Sequence, residues 1–176
     1  LIRARYTTIQ IETGGDEMGI NRFAQWLPVG RMLKGSCAPV TYKSSKLAAA
    51  LGLKNLYITF NGDYPKIGAH MSTCSFKETE AYSVCGRLGE DHAHKVLVVA
   101  SAGNTARAFA RVCSDNRIPL LLSVPEDNLD ALWFDAPLND CVKLIAARKG
   151  VEDFDAIHLS NLVLKSDKVL AYVGAK

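Results

Sequence analysis

Residues 96–100, Val-Leu-Val-Val-Ala, constrain the fold most, because five apolar residues follow one another with no polar alternate. A strand with one wet face alternates apolar and polar residues, so an unbroken run marks a strand covered on both faces. Further apolar runs follow at 120–124, 142–146 and 169–173. Between the first two, residues 103–115 place Ala106, Phe109, Ala110 and Cys113 at the i, i+3, i+4, i+7 spacing of one helix face. A short helix is expected over 127–134, and another over 153–165 with Ala156, Leu159 and Val163 on one side. Buried strands joined through helices make a parallel sheet, since parallel neighbours need a crossover connection. The predicted fold class is α/β, with four parallel strands.

Residues 1–75 read differently. Gly14-Gly15, Pro28, Gly35, Pro39, Gly62 and Pro65 break them into short pieces. A helix is expected over 44–51, through Leu47, Ala48, Ala50 and Leu51, with Gly52 as its C-terminal stop. Residues 56–60, rich in aromatic and β-branched side chains, predict a short strand.

Composition removes several classes of function. With 176 residues, a net charge of +3 and scattered Lys and Arg, the chain lacks the basic block that tracks nucleic-acid phosphates. No apolar run approaches the roughly 20 residues of a spanning helix, so no membrane partner is expected. No charged-then-apolar leader opens the chain. Cys37, Cys74, Cys85, Cys113 and Cys141 are odd in number and dispersed, with no C-x-x-C pair, which argues against a zinc site or a disulfide framework. They read as small, mostly buried thiols of a cytoplasmic protein. Asp91-His92-Ala93-His94 lacks a third ligand of clear spacing and reads as a solvated loop, so no metal is expected. His158 reads as a partly buried helix residue, and Trp26 and Trp133-Phe134 as core or domain-interface aromatics.

Two motifs carry chemistry. Ser75-Phe76-Lys77-Glu78 fits an S-x-x-E capping box, with Ser75 as N-cap and Glu78 reaching back to it, ahead of a helix running to about Leu88. Lys77 then lies in the first helical turn, beside unpaired N–H groups, where acids are favoured over ammonium ions. That placement singles it out for Schiff-base chemistry, although so short a motif also suits a surface lysine. The second motif, Ser101-Ala102-Gly103-Asn104-Thr105, falls where a strand passes into a helix. Helix N-terminal amides there favour a carboxylate or phosphate, and glycine lets a ligand approach the backbone. A capped turn without a ligand is the plainer reading. The turn is not the G-x-G-x-x-G of a dinucleotide site.

Arg22-Phe23, Trp26-Leu27-Pro28-Val29, Thr41-Tyr42-Lys43-Ser44, Leu51-Gly52-Leu53 with Asn55-Leu56-Tyr57-Ile58, and Thr73-Cys74-Ser75-Phe76-Lys77-Glu78 follow in order. Ala100-Ser101-Ala102-Gly103-Asn104-Thr105, Arg107-Ala108-Phe109-Ala110, Val124-Pro125 and Leu132-Trp133 come after them. The series resembles the cysteate synthase family, fold-type-II pyridoxal-phosphate enzymes of the tryptophan synthase β-chain type. Threonine synthase is the nearest relative, but its lysine is usually followed by Asp-Arg, where Glu78-Thr79 stands here.

The resemblance implies an architecture. Residues 1–79 would be the N-terminal part of a large domain carrying the cofactor lysine, 80–173 a small α/β domain, and 174–176 the start of the rest of the large domain. It also implies roles. Lys77 would hold pyridoxal 5'-phosphate and move the α-proton, Asn104 would hydrogen-bond the cofactor's ring hydroxyl, and Ser101, Ala102, Gly103, Asn104 and Thr105 would hold the amino-acid carboxylate. The reaction implied converts O-phosphoserine and sulfite to cysteate and phosphate, in coenzyme M biosynthesis, by a homodimer. Arg107, Lys43, Lys66 and His70 are candidates for a phosphate or sulfite oxyanion, each also readable as a solvated charge. The family continues well beyond this length, and its remainder carries the glycine-rich loop for the cofactor phosphate and the residue facing the pyridine nitrogen. Two alternatives stand: another β-replacement or elimination enzyme such as threonine synthase, and a non-catalytic truncated α/β binding module.

Overall fold

Gly19 opens a 3₁₀ segment, Gly19–Trp26, that lies against residues 33–37. In this computed structural model, which describes residues 4–11, 19–89, 95–148 and the backbone of 169–174, Gly19 has a φ of +58°. A Cβ there would come within 2.4 Å of the Ser36 and Cys37 backbone, so only glycine fits. Ile20 N–H donates to the Cys37 carbonyl at 3.2 Å, and the Asn21 side chain donates to the Leu33 carbonyl. Strand β1 (Val40–Lys43) pairs antiparallel with β2 (Tyr57–Phe60), and helix α1 (Ser45–Ala50) connects them. Gly52 ends α1 as its sequence implies. At a φ of +68° its N–H reaches the Ala49 carbonyl, and Leu53 N–H reaches that of Ala48 at 2.8 Å. A two-residue pair, β3 (Asp63–Tyr64) with β4 (Ala69–His70), follows.

Helix α2 (Lys77–Gly86) leads into β5 (Val96–Ala100), α3 (Asn104–Asn116), β6 (Leu120–Pro125), β7 (Val142–Ala147) and β8 (Val169–Gly174). The apolar runs form one parallel sheet in the order β7-β6-β5-β8. Leu97, Val98, Val99, Leu122 and Val124 are buried, as expected of central strands. The predicted face of α3 is buried, and burial extends from Thr105 to Ser114, well beyond one stripe. The excess arises because α2 packs on α3. Small residues let the two helices approach, and Cys85 Sγ lies 3.8 Å from Cys113 Sγ. Among the described residues, no helix is long and apolar enough to cross a membrane.

Some expectations need correction, and others fall outside the described residues. The helix expected over 127–134 is a 3₁₀ segment, Glu126–Ala131. It stops early because Leu132 and Phe134 both pack against the core, an alternation of two that a helix does not give. Trp133 between them turns outward, and it and Trp26 are half-exposed, so of the two readings, core or domain interface, the core one is excluded. The Trp26 indole N–H donates to the Thr8 carbonyl at 2.9 Å instead. The helix expected over 153–165, with His158, and the loop holding His92 and His94 lie outside the described residues.

Phe109 is the largest of the fully buried side chains. Phe109→Ala is expected to lower stability by about 3–5 kcal/mol in urea unfolding, against less than about 1 kcal/mol for the half-exposed Leu53→Ala.

Candidate functional site

Two segments converge: the loop 73–77 ahead of α2, and the turn 101–105 between β5 and α3. In the loop, Cys74 takes a φ of +53°, which bends the chain into the helix start. Ser75 Oγ accepts from Lys77 N–H at 3.3 Å, but the helix is capped one residue later than expected, at Phe76, and Glu78 N–H goes to the Ser75 backbone carbonyl rather than to its side chain. The glutamate half of the expected capping box does not form either. Glu78 is only 2% exposed, and its carboxylate accepts from Thr73 N–H at 2.8 Å, Thr73 Oγ1 at 2.6 Å and Cys37 Sγ at 3.3 Å. A carboxylate this deep needs several donors, and Thr73 supplies two where Ser75 would supply one. Burial, and then the Glu78 charge, push the Cys37 thiol far above its ordinary range. Burial likewise raises Tyr82, whose hydroxyl donates to the Gly35 carbonyl at 2.6 Å.

Lys77 lies at the head of α2 with its side chain about one third exposed. Its Nζ sits 2.7 Å from Glu80 Oε2 and 5.5 Å from the Phe76 ring centroid. A surface pair of this kind contributes at most about 1 kcal/mol, so the amine is held lightly.

In the turn, Ser101 is buried and its N–H donates to the Ser123 carbonyl at 3.2 Å. Its Oγ accepts from Gly103 N–H at 3.4 Å. A Cβ on Gly103 would meet no atom within 4 Å, and its φ of −154° lies outside the left-handed range. No neighbouring atom crowds the position, so the space above it is open, while its ψ of −130° lies outside the regions that side-chain-bearing residues favour. Asn104 is exposed, while Thr105 is buried in the first turn of α3.

Arg107 joins the two segments. From α3 its Nη1 donates to Asn104 Oδ1 at 3.2 Å, and its Nη2 donates to the Thr73 carbonyl. The guanidinium carbon lies 3.7 Å from the Trp133 ring centroid. Burial pulls the Arg107 pKa below its usual value.

The candidate site is thus held together by Arg107, which ties Asn104 to the loop leading to Lys77, while the Lys77 amine itself pairs with Glu80. Lys43, Lys66 and His70 are exposed on other segments, and no hydrogen bond or ion pair among the described residues ties them to that site. His70 instead lines a cavity of about 170 Å³ with Arg22, Ser36 and Cys37. Among the described residues, no group of three or more His, Cys, Asp or Glu is placed to hold a metal. Thr73 and Trp133 were not legible as site residues, because their roles come from contacts across 34 residues and from a stacking partner on another element. The acid at position 78 was visible in the sequence, but its partners were not.

The class these features define is an α/β protein whose open turn at 101–105 is tied through Arg107 to the loop that leads to Lys77. No family model matches the chain. Known cysteate synthases do. That of Methanocella paludicola is 44% identical over 177 residues, covering all of this chain and 41% of the relative. That of Methanococcoides burtonii is 48% identical over 177 residues, again across the whole chain. That of Methanosarcina acetivorans is 40% identical over 175 residues. The chain therefore resembles cysteate synthases from end to end, and spans about 42% of the length of the relatives it matches.

Replacing Glu78 by Ala strands the Thr73 and Cys37 donors, and is expected to cost roughly 2–4 kcal/mol in urea unfolding. Iodoacetamide at pH 8, followed by peptide mapping, is expected to modify exposed Cys74 first. Cys37, Cys85 and Cys113 should stay unmodified until the chain unfolds, since each is buried and the Cys37 thiol stays protonated at that pH.

Proposed function

We propose that this chain belongs to a fold-type-II, pyridoxal-phosphate-dependent enzyme that converts O-phosphoserine and sulfite to cysteate and phosphate. Identity of 38–48% to cysteate synthases over nearly the whole chain supports this reading over threonine synthase or a non-catalytic module. The observation that carries it in the structure is the Arg107 bridge, which sets the Lys77 loop against the 101–105 turn.

The residues present fit pyridoxal 5'-phosphate. Lys77 offers an accessible amine whose only ion pair among the described residues, with Glu80, is a surface one. Asn104 has its Oδ1 taken by Arg107, which leaves its amide NH₂ free to donate to a ring hydroxyl. Once bound, the cofactor supplies the electron sink for breaking the bonds at the substrate's α and β carbons. In this reading Lys77 leaves Glu80 to hold the cofactor, and its amine carries the α-proton. The free N–H groups at the head of α3, with Ser101 and Thr105, receive the amino-acid carboxylate. The open space over Gly103 lets that carboxylate reach the backbone. Residues 1–79 form part of the large domain and 80–173 the small one. The rest of the large domain, with the cradle for the cofactor phosphate, lies in the part of the relatives that this chain does not span. A homodimer is the proposed assembly.

The protein expressed from its whole reading frame and loaded with pyridoxal phosphate should release cysteate and phosphate from O-phosphoserine and sulfite. Lys77→Ala should abolish turnover and the Schiff-base absorbance. Gly103→Ala should raise the KM for O-phosphoserine by about tenfold or more. Failure to form cysteate, with threonine made from O-phosphohomoserine instead, would overturn the assignment.

A further inference from the structure

Three charged side chains are buried among the described residues: Glu78, Arg107 and Arg111. Two are well compensated. Glu78 accepts three hydrogen bonds, and Arg111 pairs with Asp115 and also binds Ser114 and the Ala136 carbonyl. Arg107 differs. It makes no ion pair among the described residues, and its buried Nε has no hydrogen-bond partner. Its hydrogen bonds go to two neutral oxygens and its face to Trp133, and the Glu78 charge acts on it without direct contact. An apolar side chain of similar size would be cheaper to bury here, so packing alone does not account for an arginine.

Its geometry gives another reason. The guanidinium is a rigid planar fork, so two bonds from one plane fix the separation of the groups that accept them. One acceptor is the Thr73 carbonyl, in the loop that leads to Lys77. The other is Asn104 Oδ1, one helical turn before Arg107 on the same face of α3. Trp133 covers the guanidinium plane from the segment after Glu126–Ala131, and so keeps the fork from swinging out. Trp133 itself stays half-exposed.

We infer that Arg107 is a positioning residue, locked by Trp133, that sets the Lys77 loop against Asn104 and binds neither the phosphate nor the sulfite. Its consequence for turnover rests on the proposed function; the clamp itself does not. The expected loss on breaking it is one of alignment: a small displacement of reacting groups costs roughly 100-fold in rate without changing how tightly the substrate's remote groups are held.

The test uses the protein expressed from its whole reading frame, with Arg107→Met, Arg107→Lys, Trp133→Ala and Trp133→Phe. Hydrogen exchange without cofactor should speed up by about tenfold or more over residues 73–77 and 101–105 in Arg107→Met. Trp133→Ala should act in the same direction, and Trp133→Phe should stay near the parent. Arg107→Lys, which lacks the fork, should not restore protection. In the loaded enzyme, Arg107→Met should lower kcat by roughly 100-fold, with both KM values within about threefold. The bound cofactor's absorbance should shift as it does in Asn104→Ala, and the double variant should shift no further. A KM for O-phosphoserine or sulfite raised about tenfold at unchanged kcat would make Arg107 an oxyanion ligand and overturn the inference. Unchanged exchange in both Arg107→Met and Trp133→Ala would overturn it too. If Arg107→Met does not fold, Trp133→Ala, altered only at a half-exposed ring, decides the exchange result. If the parent protein binds no pyridoxal phosphate or makes no cysteate, the proposed function falls, and the exchange comparison still decides the clamp.

Discussion

Thr73 is the residue on which both halves of the site depend. Its N–H and hydroxyl are taken by the buried Glu78 carboxylate, and its carbonyl by the buried Arg107 guanidinium. A negative and a positive charge are thus satisfied through one peptide group rather than by direct contact. Each needs what the other cannot accept: the carboxylate takes donors and the guanidinium takes acceptors. One turn residue offers both. Removing either charge leaves buried polar atoms of Thr73 unpaired, and that penalty binds the loop to α2 on one side and α3 on the other.

The rest of the architecture serves this joint. The sheet core around Leu97, Val99 and Leu122 holds the end of β5 and the start of α3 rigidly, so the turn 101–105 has a fixed position. Small residues between α2 and α3 let the two helices pack closely. The reactive candidate, Lys77, stays outside this rigid frame on a surface ion pair. Strong constraints therefore fall on the supports, and weak ones on Lys77.

Much of the frame was legible from local pattern. The continuous apolar runs mark the strands because residues buried on both faces leave no room for polar alternation, and Gly52 marks a helix end because it takes a positive φ. The same reasoning failed at Leu132-Trp133-Phe134, where three neighbouring apolar residues looked helical but alternate between core and surface. It also misassigned the acceptor bonds of Glu78, since the capping-box pattern describes a partner three residues away. The carboxylate chose Thr73 and Cys37 once burial made multiple donors necessary.

By itself, then, the sequence determined the α/β pattern, the helix start at Lys77, the amide-lined turn at 101–105, and the likeness to cysteate synthases. These depend on neighbours within a few residues, or on identity along the chain, and both survive without knowledge of the fold. The tertiary structure alone decided that Glu78 is buried, that Arg107 bridges Thr73 and Asn104, and that Trp133 covers it. Those contacts join residues far apart in sequence, and their energies exist only where folding has removed water from charged groups.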